Sequence, residues 1–220
     1  EEVEEHLQKA VPNNAEIGDC RDITNVTNER TMIVSHISKV GVGHKIPLFL
    51  QKKQNILDTE YYQFYLPAEL SSFIFDWCAR QKLNSTSFTY FYLKQLPVLP
   101  PDTFVKTCPW STDEIIGDWI RKRVMELTYT SWDMKPFAED CSYSEPPFTW
   151  DEERRFQLRC ELDAAFFHLY GINCNDVDYI IETFPIIRKN DLTKFGYYKT
   201  KQMIMRLYQC EAASCIHHLE

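Results

Sequence analysis

WDEERRFQLRCELDAAFFHLYG, running from Trp150 to Gly171, decides the class of this fold. Phe156, Leu158, Leu162, Ala165, Phe166 and Leu169 recur at helical spacing as an apolar stripe, with Glu152, Glu153, Arg154, Arg155 and Arg159 on the other side. Gly171 stands where a helix end favours a residue at ease with positive φ. Such a stripe needs helical partners, and the sequence supplies them on both sides. Ser111 or Thr112, with Glu114 just after, predicts the cap of a helix reaching Leu127. Downstream, Asn173 or Asn175 caps a short helix through Asp178–Glu182, and Pro185 breaks it. Lys199–Glu211 forms a last helix bearing Met203, Ile204, Leu207 and Tyr208. Residues 128–149 carry prolines and aromatics without a period. A loop that long in a compact domain is either functional or packed by its own rings.

Upstream the pattern changes. Residues 1–10 are helix-like, with Val3, Leu7 and Ala10 on one face, and Pro12–Asp19 reads as a turn-rich connection. Thr31–Ile37 is β-branched and extended, Lys45–Leu50 is a second short strand, and the two are expected to form an antiparallel unit in a sheet completed elsewhere. Tyr61–Tyr65 is expected to add a strand. Ala68–Lys82 is helical, with Leu70, Phe73, Ile74 and Trp77 on one face, stopping near Asn84. Ser85–Gln95 reads as extended, with aromatics on both faces, and Pro97, Pro100 and Pro101 close the unit stiffly. The expected fold is therefore α+β, with short strands near the N-terminus packed against a predominantly helical C-terminal part. Its expected organisation is an N-terminal helix and linker (1–19), an α+β region (20–105), a mainly helical region (106–216) and a candidate cloning remnant (217–220).

Composition narrows the function. The chain has 24 Lys plus Arg against 32 Asp plus Glu, a net charge of −8, which argues against strong autonomous nucleic-acid binding. It leaves room for a module that offers one face to a shared cleft. The 8 cysteines include no C-x₂-C pair, and Cys210 with Cys215 is too widely spaced for a redox dithiol; they read as free thiols in a cytoplasmic protein. No run is long and apolar enough to span a membrane. With 5 Trp, 12 Tyr and 14 Phe, rings should fill the interior and leave a few for stacking or interfaces.

Catalytic constellations are missing. There is no G-x-G-x-x-G, Walker loop, H-E-x-x-H or G-x-S-x-G pattern. His6, His36 and His44 are scattered, and His168 reads as a hydrogen-bonded structural residue. Asp58 and Glu60 beside Lys52 or Lys53 are a chance trio. Glu153 and Glu161 share a helix side but are explained by pairing with nearby arginines. No catalytic, cofactor-binding or metal-binding residue is assigned. More informative is Asn84-Ser85-Thr86-Ser87-Phe88-Thr89-Tyr90-Phe91-Tyr92, whose hydroxyls and amide suit phosphates or base edges and whose rings suit an extruded base. Turn capping and core packing account for the same residues otherwise.

In combination several stretches resemble the target-recognition portion of large fused restriction–modification DNA methyltransferases of the adenine-N6, type IIG-like family. They are Cys20-Arg21-Asp22-Ile23, Thr27-Asn28-Glu29-Arg30-Thr31 and Val42-Gly43-His44. The run from Phe75 to Lys82, followed by Phe91 to Pro100, is the most specific signature. Glu126-Leu127-Thr128-Tyr129-Thr130, the stretches from Pro147 to Arg155 and from Cys160 to Ala165, Asp176 to Ile180, and Lys199-Thr200-Lys201 continue it. The likeness spans about residues 20 to 209.

The resemblance implies a larger protein of bacterial phage defence that binds S-adenosylmethionine, extrudes an adenine and methylates N6; some relatives add a nuclease. The Asn/Asp-Pro-Pro-Tyr/Phe motif of that chemistry and its cofactor loop do not occur here. Glu145-Pro146-Pro147-Phe148 lacks the amide or short acid that would accept the adenine amino hydrogens. The expectation is thus a truncated, non-catalytic DNA-positioning portion that meets double-stranded DNA through the full-length protein, alongside an N-terminal methylase domain in cis. Arg80 and Lys82 would touch phosphate and Asn84 or Thr86 would read base edges, with Ser85, Tyr90, Tyr92 and Lys94 completing the face. Arg121, Lys122 and Arg123 are weaker phosphate candidates. The alternative is a module that docks methylase and nuclease domains without touching bases.

Overall fold

The computed structural model describes residues 16–38, 40–49, 60–83, 86–111 and 113–217. The expected helix at 1–10, and the residues Asp58, Asn84, Ser85 and Thr112, lie outside them. The fold is α+β as expected, with short strands first and helices afterwards. Strand β1 is Glu16–Cys20, β2 is Val34–Ser38 and β3 is Leu48–Phe49. The sheet order is β2-β1-β3, and both outer strands run antiparallel to β1. The two strands legible in the sequence therefore do not pair with each other. The strand between them is the stretch read as a turn-rich connection. Its residues show no hydrophobic alternation, and it becomes a strand because backbone groups on both its edges find partners.

The expected strand at Tyr61–Tyr65 is a π-helical turn that runs directly into α1, Leu66–Leu70. Its Tyr61, Phe64 and Tyr65 are all buried. A period of two and the front of a buried helix look alike over five aromatic residues. The helix expected from Ala68 to Lys82 is broken at Ser71-Ser72, where α2 begins at Phe73 and ends at Lys82. Ser72 caps it, its hydroxyl accepting from the Phe75 amide at 3.3 Å. Helix α3 is a single turn, Tyr90–Leu93, inside the segment expected to be extended.

The helical part begins with α4, Ile116–Thr128. Its end falls where expected, but its start lies later, at an Ile115 cap with no side-chain acceptor; Ser111 instead donates to Glu114. Helix α5, Lys135–Asp140, interrupts the long loop, which is otherwise packed by its own rings, Tyr143 standing 5.1 Å from Phe148 and 6.1 Å from Tyr129. Helix α6, Glu152–Leu169, is the decisive helix of the sequence, started by an Asp151 carboxylate that accepts from the Arg154 amide at 2.9 Å. Helix α7, Cys174–Glu182, is capped by Asn173. Pro185 opens α8, Pro185–Phe195, where the sequence predicted only a break; proline suits a first helical turn, whose amide has no partner. Helix α9, Lys199–His217, closes the order.

One buried hydrophobic cluster runs from Cys20 to Tyr208. Helix α9 lies along α6, where His168 stacks on Tyr208 at 4.0 Å and its Nε2 is 2.9 Å from the Tyr208 carbonyl oxygen. Phe73 meets Phe184 edge-on at 4.6 Å, joining α2 to the α7–α8 junction. A close backbone approach occurs at Gly117, whose amide donates to the Phe104 carbonyl at 2.8 Å. A β-carbon there would overlap the Tyr65 hydroxyl and sit 2.9 Å from that carbonyl oxygen. Tyr65 is buried and stacked on Phe104 at 4.6 Å, so neither neighbour can give way. Gly117→Ala is expected to cost about 1–3 kcal/mol, visible as a lower urea midpoint; an unchanged midpoint would refute this packing.

Candidate nucleic-acid interface

The chain leaving β1 holds the candidate segment in place. Cys20 and Asp22 donate to the carbonyls of Pro47 and Lys45, and the strand then changes partner: Phe88 donates to Asp22 at 2.8 Å and Thr24 to Thr86 at 3.1 Å. Ile23 and Ser87 form an isolated antiparallel bridge. Ser87 also donates to the Asp22 carboxylate, which Lys45 approaches at 3.2 Å. The Ser87 hydrogen bond, ahead of Lys45, holds that carboxyl below its usual range. Residues 86–88 are thus held by one isolated bridge and its flanking hydrogen bonds, and α3 follows from Thr89.

This local geometry replaces the expected two-faced strand. Phe88 is buried and anchors the turn. Tyr90 and Phe91 are exposed, Phe91 by 72 %, while Tyr92 is partly covered beside Phe88 and Phe91. The Tyr90 hydroxyl donates to the Leu48 carbonyl at 3.3 Å. Lys82, Thr86, Thr89 and Lys94 are exposed on the same stretch. Half of the aromatic content legible in the sequence is therefore displayed, and the other half fixes the display.

Arg80 belongs to the interior rather than to this surface. Its Nε pairs with the Asp76 carboxylate at 3.0 Å, its Nη2 donates to the carbonyls of Asn28 and Glu29, and its guanidinium lies 4.1 Å from the centre of the Phe184 ring. Those bonds tie Nε and Nη2 into the fold, so Arg80 is held largely inside and is not displayed beside Lys82. The basic run on α4 is occupied too. Arg121 pairs with Glu60 and Asp118, Lys122 with Glu114 at 2.6 Å, and Arg123 with Glu161 at 2.7 Å while stacking on Trp119. Each of the three has an acid partner, Glu60 and Glu161 being distant in sequence and Glu114 and Asp118 near, so these weaker phosphate candidates form no free basic patch.

Sequence reasoning missed three buried carboxylates and the arginines near them. Asp76 accepts from the amides of Thr31 and Met32. Asp163 accepts from the Phe73 amide at 2.7 Å and pairs with Arg30 at 3.3 Å, and burial outweighs that arginine, pushing its carboxyl up to about 6. Glu69 accepts from the Leu99 amide at 2.7 Å and from the Tyr170 hydroxyl, with burial raising it to about 7. Arg30 lies 3.6 Å from the centre of the Phe73 ring. Together with Arg155 and Arg159 it lines a cavity of about 370 Å³ between the chain before β2 and helix α6. The only sequence signal was the Thr-Asn-Glu-Arg-Thr run, and nothing in spacing tied it to α6.

His36 is half-buried against the Gln63 carbonyl, and the burial of its ring lowers its pKa. Cys20, Cys78, Cys108, Cys141, Cys160 and Cys174 are free thiols, and burial raises Cys20 to about 11. Among the described residues no group of three or more His, Cys, Asp or Glu side chains is placed to hold a metal, and no helix is long and apolar enough to cross a membrane. Comparison with protein-family models, with curated proteins and with solved structures finds no match.

Proposed function

We propose that this chain is a non-catalytic DNA-positioning portion of a cytoplasmic restriction–modification adenine-N6 methyltransferase, which relies on a methylase domain in cis for S-adenosylmethionine and for chemistry. One observation carries the reading. No Asp or Glu occurs between Asp76 and Asp102 in a chain of net charge −8. Asp76 itself is buried and paired with Arg80. The surface between them displays Lys82, Lys94, hydroxyls and the rings of Tyr90 and Phe91. A polyanion is attracted to such an edge and repelled by most of the remaining surface, so charge selects the docking side.

In this reading Lys82 and Lys94 contact phosphates and set orientation, Thr86 stands at base-edge height, and the exposed rings stack on bases or fill a groove. Asn84 and Ser85 fall between these residues in sequence and remain candidates for base contact. The test is fluorescence anisotropy of the chain with duplex DNA at several salt concentrations. Lys82→Ala and Lys94→Ala should each weaken binding on every sequence and reduce the salt slope by about one unit, as for loss of a single phosphate contact. If the double variant binds with the parent's slope, the edge does not face DNA. The exposed Phe91 would then mark a surface that docks another domain.

A further inference from the structure

On α4, and at Arg154 on α6, basic side chains are matched by acids, Arg154 pairing with Glu126 at 2.8 Å. Arg155 and Arg159 break the pattern. They stand one helical turn apart on α6 and line the same cavity as Arg30. Among the described residues Arg159 forms no hydrogen bond or ion pair. Arg155 donates Nη1 to the Leu127 carbonyl at 2.8 Å and lies over the Trp150 ring at 3.8 Å, with no carboxylate bound. Like charges four residues apart on a helix repel, and burial together with Arg159 lowers the pKa of Arg155. Glu152, about one turn before Arg155 on the same helix, accepts from the Trp150 indole instead.

Two donors in this group also lack acceptors. Arg155 Nε and Arg30 Nη1 are both buried without a hydrogen-bond partner. A protein interior rarely leaves guanidinium N–H groups unsatisfied. Both atoms are closed off from the cavity and their guanidiniums lie against the rings of Phe73 and Trp150, so they add positive field there, while the exposed Arg159 has its donors free among the described residues.

We propose that the cavity bounded by Arg30, Arg155 and Arg159 binds a phosphate group. Charge is the first reason: three guanidiniums against the single carboxylate of Asp163 leave two positive charges, the complement of a phosphomonoester dianion. Shape is the second. Two guanidiniums from α6 and one from the chain before β2 offer more than one fork to a tetrahedral oxyanion, whereas one fork satisfies a planar carboxylate. The hydroxyl-bearing Ser35 and Thr128 line the same space, and its volume of about 370 Å³ admits a phosphate together with part of the molecule that carries it. The phosphate could belong to a free monoester or to a DNA backbone, and the site does not rest on the DNA-positioning reading.

The test titrates the 220-residue chain calorimetrically with inorganic phosphate at matched ionic strength, then with adenosine 5′-monophosphate against adenosine, then with a blunt duplex. Arg159 is exposed and unpaired, so Arg159→Ala should leave the melting temperature in phosphate-free buffer unchanged. It should weaken phosphate binding at least tenfold. Tighter binding of the monophosphate than of the duplex identifies a monoester ligand. Duplex that competes with phosphate, and whose salt slope falls by about one unit in Arg159→Ala, identifies the backbone. Either result supports the site. Absence of saturable phosphate binding, or an Arg159→Ala affinity within twofold of the parent, overturns it. Duplex binding that ignores Arg159 while phosphate fails to bind removes this site and leaves the edge at Lys82 standing. Phosphate binding without any duplex binding does the reverse.

Discussion

Asp76→Ala should destabilise the chain by about 3–5 kcal/mol, the range found when one partner of a buried ion pair is removed. Asp76 is fully buried and Arg80 nearly so. One carboxylate oxygen accepts from both the Thr31 and Met32 amides, and the other binds Arg80 Nε. Arg80 passes the connection on to the carbonyls of Asn28 and Glu29. Alanine would leave two amides without acceptors and a guanidinium without its anion, beside the ring of Phe184. The turn over residues 25–32 should then open. Urea unfolding gives the loss, and hydrogen exchange at Thr31 and Met32 locates it. Asp76→Asn retains an acceptor and should recover part of the stability. Arg80→Ala should likewise lower stability yet leave the salt slope of DNA binding unchanged. A loss under 1 kcal/mol in Asp76→Ala would mean that the network is ornamental to folding.

The network explains which features were legible in the sequence. Long helices announce themselves by side-chain period, although α6 is buried all round from Cys160 to Phe167 and not along one stripe as read from the sequence. The order of strands followed by helices could be read for the same reason. β1 could not, since Glu16–Cys20 has no alternating pattern and is a strand only through its partners. The π-turn at Tyr61–Tyr65 and the helix at Tyr90–Leu93 were hidden by aromatic and β-branched runs that suit a strand locally and are overruled by packing. Pro185 was read as a stop, although proline serves equally well at a helix start.

For the candidate edge, the residue types anticipated the exposure of some side chains and not of others. Lys82, Thr86 and Lys94 are displayed as the residue types suggested. Arg80 is not, because its fate depends on Asp76 one turn earlier and on carbonyls some fifty positions away. The α4 cluster failed in the same manner: Arg123 meets Glu161, a residue read as a generic helix-surface acid. Charges are counted easily along a chain, but whether they are spent within it is a tertiary fact. The arginine cavity is the converse case, where Arg155 and Arg159 looked like an ordinary solvated face and the fold left them without counterions.

Glu69→Gln should flatten the dependence of stability on pH. The Glu69 side chain is fully buried in α1, with one carboxylate oxygen accepting from Leu99 and Tyr170 and the other buried without a partner. Among the described residues no cation contacts it. Burial therefore dominates the two hydrogen bonds and raises its pKa from 4.5 to about 7. Between those values the folded chain keeps a proton that the unfolded chain has released. The stability linked to that proton is fully present below pH 4.5 and is lost as pH rises through 7. From pH 5 to pH 8 the loss attributable to this group is on the order of 2–3 kcal/mol, at ~1.4 kcal/mol per pKa unit. Asp163, raised to about 6, adds a decline of the same sign in parent and variant alike. Glutamine keeps the shared acceptor and carries no charge, so the gap between Glu69→Gln and the parent should widen in the variant's favour as pH rises. Urea titrations at half-unit intervals measure this difference directly. Curves that run parallel from pH 5 to pH 8 would show that Glu69 is already ionised at the lower end, with a counterion or water supplied to its second oxygen.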